Sequence, residues 1–203
     1  MTAALRVLET GSLVTVQDLG RPGHAASGVS TSGACDRGSF RLANALVGNR
    51  SSAAALEVTL GGLVVQAQRP VVVALAGARS PGTEHNAPIR LREGEVLRLG
   101  MPAAGLRTYL AVRGGIDVTP VLGSRSTDLL SGLGPKPLAA GDELRVGDEV
   151  DGLPKVDIAP VPEVSGDVIS VRVGPGPRRD WFTDESWRLL CSQEYSTSPD
   201  SNR

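Results

Sequence analysis

The chain has 203 residues, of which 40% are hydrophobic, 21% charged and 3% aromatic, and its formal net charge is -1. That is enough apolar material to bury a core, and it excludes the fibrous and intrinsically disordered classes. The near-neutral balance leaves no basic face to neutralise phosphates, so nucleic acid is not an expected partner.

The 25 glycines and 14 prolines are spread between short apolar runs, which predicts many turns and few long helices. In chain order, alternating apolar residues predict strands at 4–8, 13–16, 56–60, 63–67, 71–75, 107–112, 143–146 and 168–173. That is the pattern of a β-sandwich or barrel. One helix is predicted over 37–47, with Phe40, Ala43, Leu46 and Val47 on one face, Asp36 as N-cap and Gly48 just past the last turn. A second is predicted over 183–190, capped by Thr183. The stretch from Leu91 to Gly100 is echoed by that from Leu138 to Gly147, each reading as turn, acid, strand. The echo predicts repeated hairpin construction.

Residues 148–166 are rich in Pro, Asp and Val, the composition of a semi-extended connector. The expected organisation is a first lobe over 1–150, a linker over 151–166 and the truncated start of a second lobe over 167–203. The longest apolar runs, such as 70–78, fall well short of the roughly 20 residues that cross a bilayer, and the start of the chain does not read as a leader. A cytoplasmic location with no membrane partner is the expectation.

Cys35 and Cys191 have no neighbours at metal-ligand spacing, so neither a disulfide framework nor a metal site is expected, and Asp36 beside Cys35 disfavours a reactive thiolate. His24 and His85, the two histidines, have no catalytic partner in sequence and read as solvated loop residues. No glycine-rich nucleotide loop is present, so ATP is expected to bind elsewhere. The two methionines, Met1 and Met101, do not frame a biotin-attachment lysine, so any biotin is expected from another chain.

Two loops carry clustered polar chemistry. Gln17-Asp18-Leu19-Gly20-Arg21 sets an amide, a carboxylate and a guanidinium just after a strand. It reads either as a salt-bridged, braced turn or as an anion clamp with Arg21 as the fork. Gly123-Ser124-Arg125-Ser126-Thr127-Asp128 suits an oxyanion or phosphate, or equally a Ser/Thr-rich cap for a turn at 128–133.

Several ordered motifs resemble one family. They are Thr15-Val16-Gln17-Asp18-Leu19-Gly20-Arg21-Pro22-Gly23, Ser32-Gly33-Ala34 with Asp36, Ala43-Asn44-Ala45-Leu46-Val47-Gly48-Asn49 and Ala55-Leu56-Glu57-Val58-Thr59-Leu60-Gly61-Gly62. Tyr109-Leu110-Ala111-Val112-Arg113-Gly114-Gly115-Ile116, Gly123-Ser124-Arg125-Ser126-Thr127 and Gly174-Pro175 with Asp180 and Phe182 follow. On these the chain resembles the biotin-dependent carboxyltransferase family, which includes the C component of 5-oxoprolinase, the KipA antagonist and the second component of allophanate hydrolase.

The resemblance implies a mainly β, cyclophilin-like β-barrel with one or two short helices and a second, similar lobe that is incomplete here. It implies a subunit, inactive alone, of an ATP-dependent 5-oxoprolinase that turns 5-oxoproline into glutamate. An allophanate hydrolase or urea carboxylase component, or a regulatory protein that antagonises a partner subunit, are the alternatives. The implied partner is a KipI-like homologue of related fold, the family's first or B-type component. The implied cofactors are ATP in the assembled complex and biotin where another chain supplies it. Carried over onto this sequence, Asp36 or Glu57 would act on a proton. Gln17, Asp18, Arg21, Ser32, Asn44, Asn49, Ser124, Arg125, Ser126 and Thr127 would bind substrate, with Arg21 and Arg125 holding a carboxylate. For Asn44, Asn49 and Glu57, capping and satisfaction of buried backbone is an equal reading. The sequence departs from the family at His24, where an aromatic residue is common, and in ending at Arg203, where members continue.

Overall fold

A computed structural model describes residues 3–154, 158–161, 168 and 170–196. Nine strands are described: β1 (Leu5–Thr10), β2 (Leu13–Gln17), β3 (Ala55–Thr59), β4 (Leu63–Ala67), β5 (Val71–Gly77), β6 (Pro88–Leu91), β7 (Val96–Arg98), β8 (Arg107–Val112) and β9 (Glu143–Leu144). They form two antiparallel sheets, ordered β7-β4-β1-β9 and β2-β3-β8-β5-β6. With helices α1 (Arg37–Leu46) and α2 (Asp184–Ser192), this is the mainly β class that the alternation predicts.

The period of two explains the layering. Leu5 and Val7 of β1 meet Val14 and Val16 of β2, Leu56 and Val58 of β3, Val73 and Leu75 of β5 and Leu110 and Val112 of β8 in one core between the sheets. The opposite face of the larger sheet presents Ala55, Ala74, Ala76 and Ala111 together with Tyr109. Those small residues let α1 come close, and Phe40, Ala43 and Leu46 of the helix cover them. Phe40 meets the Tyr109 ring edge-on at 6.0 Å between centroids. Asp36 caps α1 by accepting from Ser39 N.

The internal echo is a single turn design used at both edges of the smaller sheet. Gly94 and Gly141 both adopt left-handed backbone, with φ of 83° and 95°. Gly94 N donates to Ala67 O of β4, and Gly141 N donates to Val7 O of β1. In each copy the following acid accepts from the backbone three residues earlier, Glu95 from Arg92 N and Asp142 from Ala139 N, both at 2.8 Å. β7 then pairs with β4, and β9 with β1.

Residues 1–165 and 166–203 form two units. In the second, the strand expected over 168–173 is not found among the described residues of that stretch. No strand pairs with them, and Val168, Val171 and Val173 are at least 65% exposed. Alternation alone cannot make a strand without a neighbour to accept its hydrogen bonds. α2 forms as predicted, with Thr183 Oγ1 accepting from Ser186 N. Its Ser186-Trp187-Arg188-Leu189 matches Ser39-Phe40-Arg41-Leu42 of α1, yet none of its residues is buried. No helix among the described residues is long and apolar enough to cross a membrane.

Candidate functional site

β2 ends at Gln17 and delivers Asp18 to a loop where its carboxylate becomes a hub. Gly20 N donates to Oδ1 at 2.7 Å, Ser124 Oγ and Ser126 Oγ donate to the same oxygen at 2.6 Å, and Arg125 N donates to Oδ2 at 2.6 Å. Ser126 Oγ in turn accepts from Asp18 N, and Ser124 Oγ from Ser126 N. Gln17 Nε2 donates to Thr15 Oγ1 and Thr127 O. The two polar loops, a hundred residues apart in sequence, are therefore one buried network.

Arg21 is buried within it. Its Nε donates to Val121 O, Nη1 to Ser32 Oγ and Nη2 to Ser126 O, with Asp128 Oδ2 at 3.9 Å. Both edges of the fork are thus committed to the protein's own groups. Asp128 also accepts from Ser30 Oγ, Ser32 Oγ, Leu130 N and Ser131 N. The Ser30 hydroxyl, joined by Ser131 and Ser32 against the opposing effect of burial, holds this carboxyl well below the usual carboxylate range. Arg125 donates to Val118 O and pairs with Glu149 at 2.8 Å.

The phosphate reading of the second loop fails on its amides. Ser124 N donates to Val121 O, Arg125 N to Asp18, Ser126 N to Ser124 Oγ and Thr127 N to Val16 O. A phosphate cradle needs such amides free. The asparagines are likewise engaged. Asn44 Nδ2 donates to Ala53 O, while Asn49 bridges Asn44 Oδ1, Val112 O and Gly114 N.

The segment 32–36 leads from this network to a second region. Ser32 Oγ bonds Asp128, Ala34 N donates to Asp18 O, Cys35 N to Glu57 Oε2 and Asp36 N to Tyr109 Oη. It approaches the first loop so closely that a Cβ on Gly20 would fall 2.3 Å from Thr31 O and one on Gly33 2.8 Å from Gly20 N, which is why both positions are glycine. Glu57 Oε2 also accepts from Tyr109 Oη at 2.7 Å, and Oε1 lies 3.4 Å from Arg107 Nε. Burial and the hydrogen bond to Glu57 push the Tyr109 phenol far above its ordinary pKa.

Beyond Asp36 opens a cleft of about 880 Å³, walled by the ends of β5 and β8 and by the loops at 78–86 and 103–106. Asp36 is the predicted site residue that lines it, and Glu57 stands directly behind Arg107 on its wall. Ser80, His85, Asn86 and Arg107 line it too, and each carries a buried polar atom with no hydrogen-bond partner among the described residues: Ser80 Oγ, His85 Nδ1, Asn86 Oδ1 and Arg107 Nε. Arg107 Nε has the Glu57 carboxylate at 3.4 Å, but the other three atoms, on residues around one cleft, have no such partner among the described residues, which makes the cleft the candidate ligand site.

His85 is half-buried rather than solvated. Burial lowers its pKa, against the Gly77 carbonyl and with help from Arg79, so the ring is neutral. Its Nε2 lies 3.1 Å from Gly77 O, an atom that can only accept, which places the proton there and leaves Nδ1 as an acceptor. Sequence reading missed this cleft because its loops carry no motif. The one available signal was the grouping of Arg79, Glu84 and His85 in a polar loop just after the apolar run that forms β5. Among the described residues, no group of three or more His, Cys, Asp or Glu could hold a metal ion.

Residues 27–203 match the family described as carboxyltransferase domain, subdomain A and B. The chain is 38% identical over 209 residues to the C component of 5-oxoprolinase from Escherichia coli, covering 98% of this chain and 66% of that protein. It is 36% identical over 223 residues to urea amidolyase of Lachancea kluyveri, covering 98% of this chain and 12% of the relative. The crystal structure of the K. lactis urea amidolyase superimposes with a TM-score of 0.87 at 34% identity, over 100% of this chain and 14% of that one. The chain thus spans less than two thirds of each of these relatives.

Proposed function

This chain belongs to the carboxyltransferase-domain family, subdomains A and B, and from that premise we propose that it serves as a subunit of an ATP-dependent 5-oxoprolinase complex converting 5-oxoproline to glutamate. The observation that carries the reading to particular residues is the cleft bounded by Asp36, His85, Asn86 and Arg107. Asp36 is the candidate proton acceptor, since its carboxylate lies on the cleft wall at the start of α1. Glu57 is its buried companion, bonded to Tyr109 and Arg107. The network of Gln17, Asp18, Arg21, Ser32, Ser124, Arg125, Ser126 and Thr127 holds the segment that carries Asp36, and Asn44 and Asn49 hold the far end of α1.

The residues present do not fit ATP at the one loop suited to it by composition, because its amides are engaged within the protein. In this reading nucleotide therefore binds another chain of the complex, which we assign to a KipI-like partner in the cytoplasm, and no step is routed through ATP here. A second reading, a component of an allophanate hydrolase or urea carboxylase with biotin carried by another chain, is favoured by the superposition on the K. lactis urea amidolyase.

The test is reconstitution with the partner subunits and measurement of glutamate released in the presence of ATP and 5-oxoproline. Asp36→Asn keeps an N-cap acceptor, so folding is retained while turnover is expected to fall about 100-fold or more. Undiminished turnover would remove Asp36 from the chemistry. Turnover of allophanate or urea in place of 5-oxoproline would select the second reading, and partner binding without turnover of any amide would point to a regulatory protein.

A further inference from the structure

The cleft wall holds an arginine that is braced from behind. Arg107 Nε faces Glu57 Oε1 at 3.4 Å, and its Nη1 donates to Thr59 Oγ1. Both partners lie on β3, directly beside β8, so two of the three guanidinium nitrogens are held by the sheet itself. Its Nη2 has no protein partner among the described residues, and the side chain is 18% exposed where Arg107 lines the cleft. Arg21 is the contrast, with a side chain that is 0% exposed and donors that all end on Val121, Ser126, Ser32 and Asp128. A guanidinium binds a carboxylate most strongly through two parallel N–H donors, and a single N–H held in place still makes a charge-assisted bond. Arg107 keeps Nη2 for a ligand, enough for one charge-assisted hydrogen bond to a carboxylate oxygen, whereas every nitrogen of Arg21 is already engaged.

We propose that Arg107 binds a carboxylate within the cleft, taking the role that the sequence pattern suggested for Arg21. His85 and Asn86 line the same cleft, and the arginine takes the anionic end of the ligand. Asp36 and Glu84 line the same cleft and balance Arg79 and Arg107, so selectivity for the anion comes from the placed Nη2 donor and not from net charge. The inference rests on reading this cleft as the ligand site, and it holds for a carboxylate whether or not 5-oxoproline is the substrate.

The full chain, labelled with ¹⁵N-arginine, is titrated with succinate, with 5-oxoproline and with the carboxamide of 5-oxoproline. The Arg107 Nε–H resonance is assigned by its loss in Arg107→Lys. It is expected to shift saturably with both acids and to stay unmoved with the carboxamide, and once Arg107→Lys, whose other resonances check that it folds, has fixed the assignment, the titration is read on the parent chain. Arg107→Gln is expected to weaken binding of the acids about tenfold or more, and Arg107→Lys, which keeps the charge without the fork, to fall between. No saturable shift with either acid, or unchanged affinity in Arg107→Gln, overturns the proposal. Arg107-dependent binding of succinate without binding of 5-oxoproline leaves the site standing and removes the substrate reading. Binding of 5-oxoproline that ignores Arg107 does the reverse.

Discussion

Replacing Asp18 by Ala is expected to unfold much of what its carboxylate holds together. Four donors converge on that group from two loops, and the residue is only 7% exposed. The two serine hydroxyls can rotate towards other acceptors, but Gly20 N and Arg125 N, both partly buried, would be left unpaired. Each such amide costs about 1–3 kcal/mol, so Asp18→Ala should lose about 4 kcal/mol in all, out of a typical total of roughly 5–15 kcal/mol. At about 2–4 °C per kcal/mol for a domain of this size, Tm should drop by roughly 8–16 °C. Asp18→Asn keeps the shape and one acceptor oxygen but turns an amino group towards a backbone donor, so it should cost about half as much. Urea unfolding followed by far-UV circular dichroism measures both, with the midpoint moving and the slope unchanged if the native state is otherwise intact. An Asp18→Ala protein within about 1 kcal/mol of the parent would refute the bracing role and return the loop to ligand binding.

Two further outcomes concern pH. The folded pKa of Tyr109 is raised, so its contribution is fully present below about pH 10, where the unfolded phenol titrates, and is lost as pH rises towards the folded value. Alkaline difference absorbance should therefore show one phenol ionising only as the chain unfolds, and Tyr109→Phe should remove that step; a Tyr109 that ionises in the folded protein near pH 10 contradicts the hydrogen bond to Glu57. For Asp128 the folded pKa is depressed, so its contribution is present above about pH 4 and lost as pH falls below that through the folded pKa. The stability gap between the parent and Asp128→Asn should be constant from about pH 5 to 7 and shrink in acid; a gap that does not change with pH would mean that the Ser30, Ser32 and Ser131 donors do not favour the ionised form.

Much of the fold was legible because it rests on short-range rules. β4 and β8 fall where the alternation places them, α1 starts at its Asp36 cap, and the paired glycine-acid turns at Gly94 and Gly141 are local devices whose residues are contiguous. The strand expected over 168–173 failed for a complementary reason, since its valines alternate correctly but no neighbour pairs with them among the described residues. The site was legible only in part. Motif residues identified the loops that meet, yet could not say that Arg21 would be saturated and Arg107 left with one nitrogen, Nη2, for a ligand.

By itself, then, the sequence determined the mainly β class, the helix that covers one sheet and the set of loops that matter, because propensity, capping and period are encoded between near neighbours. Only the tertiary structure decided the use of each polar group. Whether a guanidinium or an amide is available depends on which acceptors reach it, and for Asp18, Arg21 and Ser126 those partners come from a hundred residues away. The cleft beside Asp36 is the same kind of fact, since residues 77–86 and 103–107 face one another across it only once β5 and β8 have paired.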